Sequence, residues 1–195
     1  MVDFIAIFIA VLALGLSGLT AWLTLLRPGT VKMTQPTVIF FGPDMPVGSD
    51  VPHSSKVYLR TLLFSTSKRG CIIESMYVSL RRNETSQHFN IWVYGEGELK
   101  RGSGLHVGET GVTFDHHFLP PTDANEFRFV EGTYVLKLYC KMLGANSAQC
   151  LFSQELVVTS EIARELGNPQ AGIYFDWGSD SGRYVPHIDV RPSLA

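Results

Sequence analysis

Charge is what the first part of this chain lacks. From Phe4 to Leu26 there is no acidic or basic side chain, and the only charged side chain ahead of that run is Asp3. The Lys or Arg that opens a signal peptide is therefore missing, and the run is longer than a signal-peptide core. A Gly15-x-Ser17 pair mimics a cleavage site, so a cleaved leader stands as the alternative to an uncleaved span. A basic excess is also absent. Lys plus Arg total 16 against 18 Asp plus Glu, for a net charge of -2, so nucleic acid is not expected as a partner. The pairs Lys68-Arg69, Arg81-Arg82 and Lys100-Arg101 are isolated and read as solvated turns. Cysteine is scarce. Cys71, Cys140 and Cys150 show no CxxC spacing, which removes the zinc and thioredoxin-type signatures, and an odd count suits a reducing compartment. No internal repeat and no low-complexity segment occurs.

What is present begins with the apolar run. Its polar groups are the hydroxyls of Ser17, Thr20 and Thr24, which in a helix return a hydrogen bond to a carbonyl one turn back. As a helix, residues 4–26 span about 34 Å, enough for a hydrocarbon core of ~30 Å, and Trp22 suits an interfacial anchor. The reading is a single transmembrane helix, residues 4–26, with the lipid bilayer as its partner. Ala13, Ser17 and Ala21, with Gly18 alongside, form a small-residue face that ordinary membrane-helix composition explains equally well. Arg27 and Lys32 follow the span and Asp3 precedes it, so the positive-inside tendency directs the later domain to the cytoplasmic side of the inner (plasma) membrane. A periplasmic or extracellular domain stays open.

Residues 27–35 read as a linker and the start of a first strand, and residues 36–190 as one β-rich domain. One strand is expected from Val31 to Phe41, with Pro36 confining part of it to an edge or a bulge, followed by a loop from Gly42 to Ser55. Strands follow at Val57 to Phe64, at Cys71 to Leu80 with Ile72, Met76, Val78 and Leu80 on the buried side, and at Phe89 to Tyr94. The Gly-rich stretch Gly95 to Gly111 reads as a surface excursion. Val112 to Leu119, Gly132 to Met142 and the segment carrying Cys150, Phe152, Leu156 and Val158 complete the series. A short helix near 160–166 has Ser160 as N-cap and Gly167 as a left-handed stop, ahead of an aromatic segment from Ile173 to Trp177 and an exit strand through Tyr184 to Val190. This spacing indicates an all-β fold, an antiparallel β-sandwich of about seven strands preceded by one N-terminal transmembrane helix. A hairpin centred on Ala145 sets Cys140 opposite Cys150, as neighbours on the inner face.

At Glu131-Gly132-Thr133-Tyr134-Val135-Leu136-Lys137-Leu138 the chain resembles bacterial membrane-anchored immunoglobulin-like and fibronectin-type β-sandwich domains of unknown function. The resemblance implies a tyrosine corner, with the Tyr134 ring at the core edge and its hydroxyl on the connection before it. It also implies Trp92 as the buried core aromatic. The turn Thr66-Ser67-Lys68-Arg69-Gly70 with Ile72-Ile73-Glu74-Ser75 is similar to one found in such domains. No Cys lies two residues after Tyr134, so the inter-sheet disulfide of the antibody type is missing.

Legible chemistry is sparse. His116 and His117 are adjacent, so on a strand they face opposite ways and cannot share an ion. Asp115 and His117 share a face but lack a third ligand. Asp176-Trp177-Gly178-Ser179-Asp180-Ser181-Gly182 lacks the later bidentate carboxylate of a calcium loop. Gly95-x-Gly97 and Gly102-x-Gly104 do not lead from a strand into a helix. Asn83-Glu84-Thr85 is an acceptor sequon only in a eukaryotic secretory route. No catalytic, cofactor or metal residue is named, and no cofactor is expected. Tyr174, Trp177, Tyr184 and Arg183 are the candidate interaction surface, for a protein partner or a second copy, unless the segment folds back and buries its rings. The expectation is a non-enzymatic interaction or scaffolding module. Its rival is a membrane-tethered hydrolase or carbohydrate-handling enzyme using Asp115, His117, Asp176 and Asp180.

Overall fold

The computed structural model describes residues 2–27, 29–44, 54–95, 98–102, 104–121 and 127–190, with side chains omitted for Val2, Phe114 and residues 92–95 and 98–101. The uncharged run forms helix α1 (Val2–Ala21) and continues to Leu26 in a widened π-type turn that ends where the Arg27 amide donates to the Trp22 carbonyl at 2.8 Å. Thr20 and Thr24 each donate their hydroxyl to the carbonyl four residues back, the expected way of hiding a hydroxyl in lipid. The span from Asp3 to Leu26 is apolar and long enough to cross a membrane, and none of its most apolar window is buried in the protein.

The rest is mostly antiparallel strand. Among the described residues, the strands are β1 (Val31–Met33), β2 (Val38–Asp44), β3 (Ser54–Ser65), β4 (Cys71–Arg82), β5 (Thr85–Gly95), β6 (Glu98–Arg101), β7 (Leu105–Val107), β8 (Val112–Leu119), β9 (Gly132–Met142), β10 (Gln149–Val158), β11 (Ala171–Gly178) and β12 (Arg183–Val190). They form one sheet in the order β10-β9-β4-β5-β8-β3-β2-β11-β12, with β1 on β3, β6 on β5 and β7 on β4. The sheet curls into a nearly closed, barrel-like wall, so these twelve strands differ from the expected sandwich of about seven. Helix α2 (Ser160–Glu165) connects β10, at one end of that order, to β11, next to the other end, and packs Ile162 and Ala163 on the core.

One face of the wall is apolar because the strands alternate. Ile39 and Phe41, Val57 and Leu59, Val78 and Leu80, and Leu136 and Leu138 are all fully or almost fully buried, the period-2 pattern of a sheet with one face on a core. Phe41 stacks on Phe129 at 5.0 Å and meets Tyr134 and Phe175 edge-on at 5.8 and 5.3 Å. Tyr134 fills this cluster, and its hydroxyl donates to the Val130 carbonyl at 2.8 Å and accepts from the Val130 amide at 2.9 Å. That is the geometry of a tyrosine corner. Gly132 opens β9 at φ 145°, where a Cβ would strike the Arg82 side chain.

Several expectations are corrected. The stretch from Val31 to Phe41 divides into β1 and β2, separated at residues 34–37 around Pro36, where a proline cannot donate to a ladder. β2 runs on to Asp44 and β3 starts at Ser54; the remainder of the Gly42–Ser55 loop, residues 45–53, lies outside the described residues. The excursion between Gly95 and Gly111 contains β6 and β7, and β7 brings Val107 into the core. Trp92 is opposite His117 on β8, but its side chain lies outside the described residues. The N-cap of α2 is Thr159, whose Oγ1 accepts from the Ile162 amide, and Gly167 is not left-handed.

Two β-bulges account for the residues assigned to the wrong face. The ladder between β4 and β9 slips between Ile73 and Ser75, which buries Ile73 and exposes Ile72. The ladder between β10 and β9 slips between Cys150 and Phe152. An extra residue inverts parity beyond it. The hairpin therefore sets Gln149 opposite Cys140 and Cys150 opposite Tyr139, leaving Cys140 buried and Cys150 exposed. The expected Cys140–Cys150 neighbourhood is overturned.

Two outcomes follow. A chain lacking residues 1–26 should unfold cooperatively in urea, because the helix buries nothing in the sheet, and Tyr134→Phe in that chain should cost about 1–2 kcal/mol through the unpaired Val130 groups. Burial, with Cys71 nearby, pushes the Cys140 thiol up to about 11. Under native conditions a thiol alkylator should therefore label Cys150 first and Cys140 only on unfolding, as followed by mass spectrometry; a native Cys140–Cys150 bridge would contradict the register.

Candidate functional site

The outer face of the sheet carries the most structured polar surface among the described residues. Strand register lines up five rings on five adjacent strands: His117 on β8 opposite Tyr58 on β3, then Phe40 on β2, Tyr174 on β11 and His187 on β12. Ring centroids lie 5.1 Å apart for Tyr58 and His117, 4.7 Å for Phe40 and Tyr174, and 5.3 Å for Tyr174 and His187. Aromatic pairs at such spacing add about 0.5–1.5 kcal/mol each beyond their burial. Phe40 lies flat because Gly42 and Gly172 leave it room: a Cβ on either glycine would collide with its ring.

Charged groups flank the row on both sides. On one side, the Lys56 ammonium meets an Asp44 carboxylate oxygen at 2.9 Å, and both side chains are buried. On the other, Asp115 accepts from the Tyr58 hydroxyl at 2.8 Å and from Arg60 Nε at 3.0 Å. Asp176 meets His187 Nδ1 at 3.0 Å. Val38, Phe40, Lys56, Tyr58, Arg60, His117, Tyr174 and Asp176 line a groove of about 340 Å³.

The electrostatics follow from these contacts. Burial alone would raise the Asp115 pKa, but the hydrogen bonds from Tyr58 and Arg60 outweigh it and hold the carboxylate below its usual value. Tyr58 is raised well above an ordinary phenol by burial and then by the Asp115 carboxylate. Burial lowers His117 to about 4, with the Lys56 charge adding to it. His116 is also near 4, from burial and then from His117. The His117 imidazole in the groove is therefore neutral at pH 7.

The sequence-derived residues separate by face. His116 lies opposite inward-facing Leu59, and His117 opposite Tyr58 on the outer face, so the adjacent histidines do diverge. Asp115, His117 and Asp176 share the outer face, while Asp180 is in the β11–β12 turn and does not join them. Among the described residues no three His, Cys, Asp or Glu side chains gather into a metal-ligand set. Of the proposed interaction residues, Tyr174 and Arg183 stand on the outer face and Trp177 and Tyr184 on the other. Trp177 packs edge-on against Tyr184 at 5.1 Å, and the Tyr184 hydroxyl donates to the Pro36 carbonyl. Phe40, Lys56, Tyr58 and Arg60 are not marked by the sequence pattern as site residues, although Phe40 and Tyr58 each interrupt an apolar run with a ring on the outward parity.

The buried histidines predict an acid-sensitive fold. Their native pKa values lie below the unfolded value of about 6.5. Between about pH 6.5 and 4 the unfolded chain therefore binds protons that the folded chain refuses, and stability falls as pH falls. Full linkage is on the order of 3 kcal/mol per histidine and less than additive for the pair. The Tm should drop from pH 7 to pH 4.5, ahead of any loss from protonating Asp115, and His116→Phe should flatten that slope. A Tm unchanged over this window would mean that both rings titrate normally.

No protein-family model and no curated protein sequence matches this chain.

Proposed function

We propose that this protein is a non-enzymatic interaction module held on a membrane by a single N-terminal span, with its outer sheet groove as the docking face. The observation that carries the reading is the row of rings from His117 to His187 between charges that are already paired. Rigid aromatic anchors and pre-formed ion pairs lose little freedom on binding, which is what concentrates affinity at contact surfaces. A protein segment or a second copy of the chain, bringing an apolar or planar side chain to the row and polar groups to Arg60 and Asp176, is the partner this chemistry suits. The span from Asp3 to Leu26 supports the membrane attachment. Arg27 and Lys32 after it support a domain on the cytoplasmic face of the plasma membrane. The tyrosine corner at Tyr134 supports kinship with immunoglobulin-like and fibronectin-type sandwiches, here widened toward a barrel.

The hydrolase reading is less favoured because its carboxylates are committed elsewhere. Asp115 is held by Tyr58 and Arg60, Asp176 faces His187, and Asp180 is remote in its turn.

Photo-crosslinking in cells tests the proposal. A photoreactive residue at Tyr174 should give discrete protein adducts that vanish when Arg60→Ala is added, whereas the same residue at Val157, exposed on β10, should give none. Equal adducts at both positions, or none at Tyr174, would count against the groove as the docking face.

A further inference from the structure

The turns at one end of the sheet are bound to the chain where it leaves the apolar helix. Only a few residues separate Leu26 from Thr30, and both sides of that gap are pinned to the β3–β4 turn. Ser67 Oγ donates to the Arg27 carbonyl at 3.2 Å, the Thr66 amide donates to the Thr30 carbonyl at 3.0 Å, and the Thr30 amide donates to Thr66 Oγ1 at 2.9 Å. An extended residue covers at most about 3.6 Å, so this turn cannot move far from the end of the helix.

The same end carries exposed apolar and basic groups together. Leu143, at the tip of the β9–β10 hairpin, is 64% exposed and Ile72 is 46% exposed. The Leu143 amide donates to the Ile72 carbonyl at 2.8 Å, which joins the hairpin tip to the start of β4, just after the β3–β4 turn. Gly29, Arg69, Gly70, His106, Met142 and Leu143 surround one open hollow of about 570 Å³, and among the described residues no carboxylate lines it. Arg69 is exposed at its edge, Lys68 is exposed next to it in the β3–β4 turn, and Arg27 is exposed on the segment that Ser67 holds. Glu109 and Asp180 stand in neighbouring turns, while Glu74 is taken up by Lys141 at 3.1 Å.

Resting on the reading of residues 3–26 as a membrane span, we infer that this rim is a second membrane contact: Leu143 and Ile72 enter the headgroup layer of the same bilayer, and Arg27, Lys68 and Arg69 face its anionic lipids. Exposed apolar tips beside cations are what an interface with anionic lipid rewards. Two contacts on one rigid body also fix the orientation of the domain, which a single flexible tether would not.

The test uses the full chain reconstituted in vesicles of phosphatidylcholine with or without phosphatidylglycerol, with acyl chains brominated near the headgroup to quench indole fluorescence. Wild type compared with Trp22→Phe reads the span, and a loss of the quenched component in Trp22→Phe is expected. Trp22→Phe with Leu143→Trp should regain a quenched component, larger with phosphatidylglycerol, and adding Lys68→Glu and Arg69→Glu should remove that gain. If Trp22→Phe quenches no less than wild type, the span reading itself fails. If Trp22 is quenched but the indole of Leu143→Trp is not, the span stands and the rim contact is overturned. Quenching at position 143 that ignores both phosphatidylglycerol and the charge reversals would overturn the part assigned to Lys68 and Arg69.

Discussion

Phe41 is where the two ends of the sheet come together. Its ring contacts Phe129, Tyr134 and Phe175, so β2, β9, β11 and the segment before β9 share one cluster, although β9 and β11 lie far apart in the strand order. A sheet this wide must bury one face, and with one short helix beside it among the described residues it does so by curling over its own side chains. The tyrosine corner matters for the same reason. By fixing the backbone at Val130, Tyr134 sets the point at which the chain enters β9 and delivers Phe129 to the cluster.

The inward face depends on that cluster, and the outward groove depends on β3. β3 pairs with β2 and β1 along one side and with β8 along the other, so its register decides which side chains become neighbours across the groove. A slip of one residue would turn Tyr58, Lys56 and Arg60 inward and carry Val57 and Leu59 to solvent. The cost of burying those apolar groups' replacements holds the register firmly. The Lys56–Asp44 pair is not a strong stabiliser by itself, since removing two charges from water consumes most of their attraction. Its effect is geometric, tying β3 to the end of β2 beside the ring row.

The alternation of single strands was readable from the sequence where the ladder is regular. Gly132 to Met142 has the bounds expected of it, the role of Tyr134 is the one the resemblance at Gly132-x-Tyr134 implies, and the divergence of His116 and His117 needs only a period of two. Reading failed where one residue was inserted. The bulges at Glu74 and Leu151 moved Ile72 and Cys150 to the opposite face, and no composition signal marks either of them. β6 and β7 were missed because they are short and lie among glycines, where packing rather than propensity makes a strand. The groove was only partly legible. Asp115, His117, Tyr174 and Asp176 drew notice, but their convergence with Tyr58 and Arg60 is set by pairings between strands remote in sequence, and residue periodicity within a strand does not contain that register.

The two surfaces are related by the direction of the strands. The rim of Arg69, Ile72 and Leu143 lies at strand ends, where β3 passes to β4 and β9 to β10, whereas the ring row crosses the strands on their outer side. With the rim against a bilayer, the strands rise away from the surface and the groove faces sideways. A partner reaching it would approach parallel to the membrane, as a neighbour anchored in the same bilayer does. Anchoring confines both molecules to a thin layer and raises their effective concentration. A groove of modest size, with its charges already paired, is then sufficient for a contact that would be weak between freely diffusing proteins.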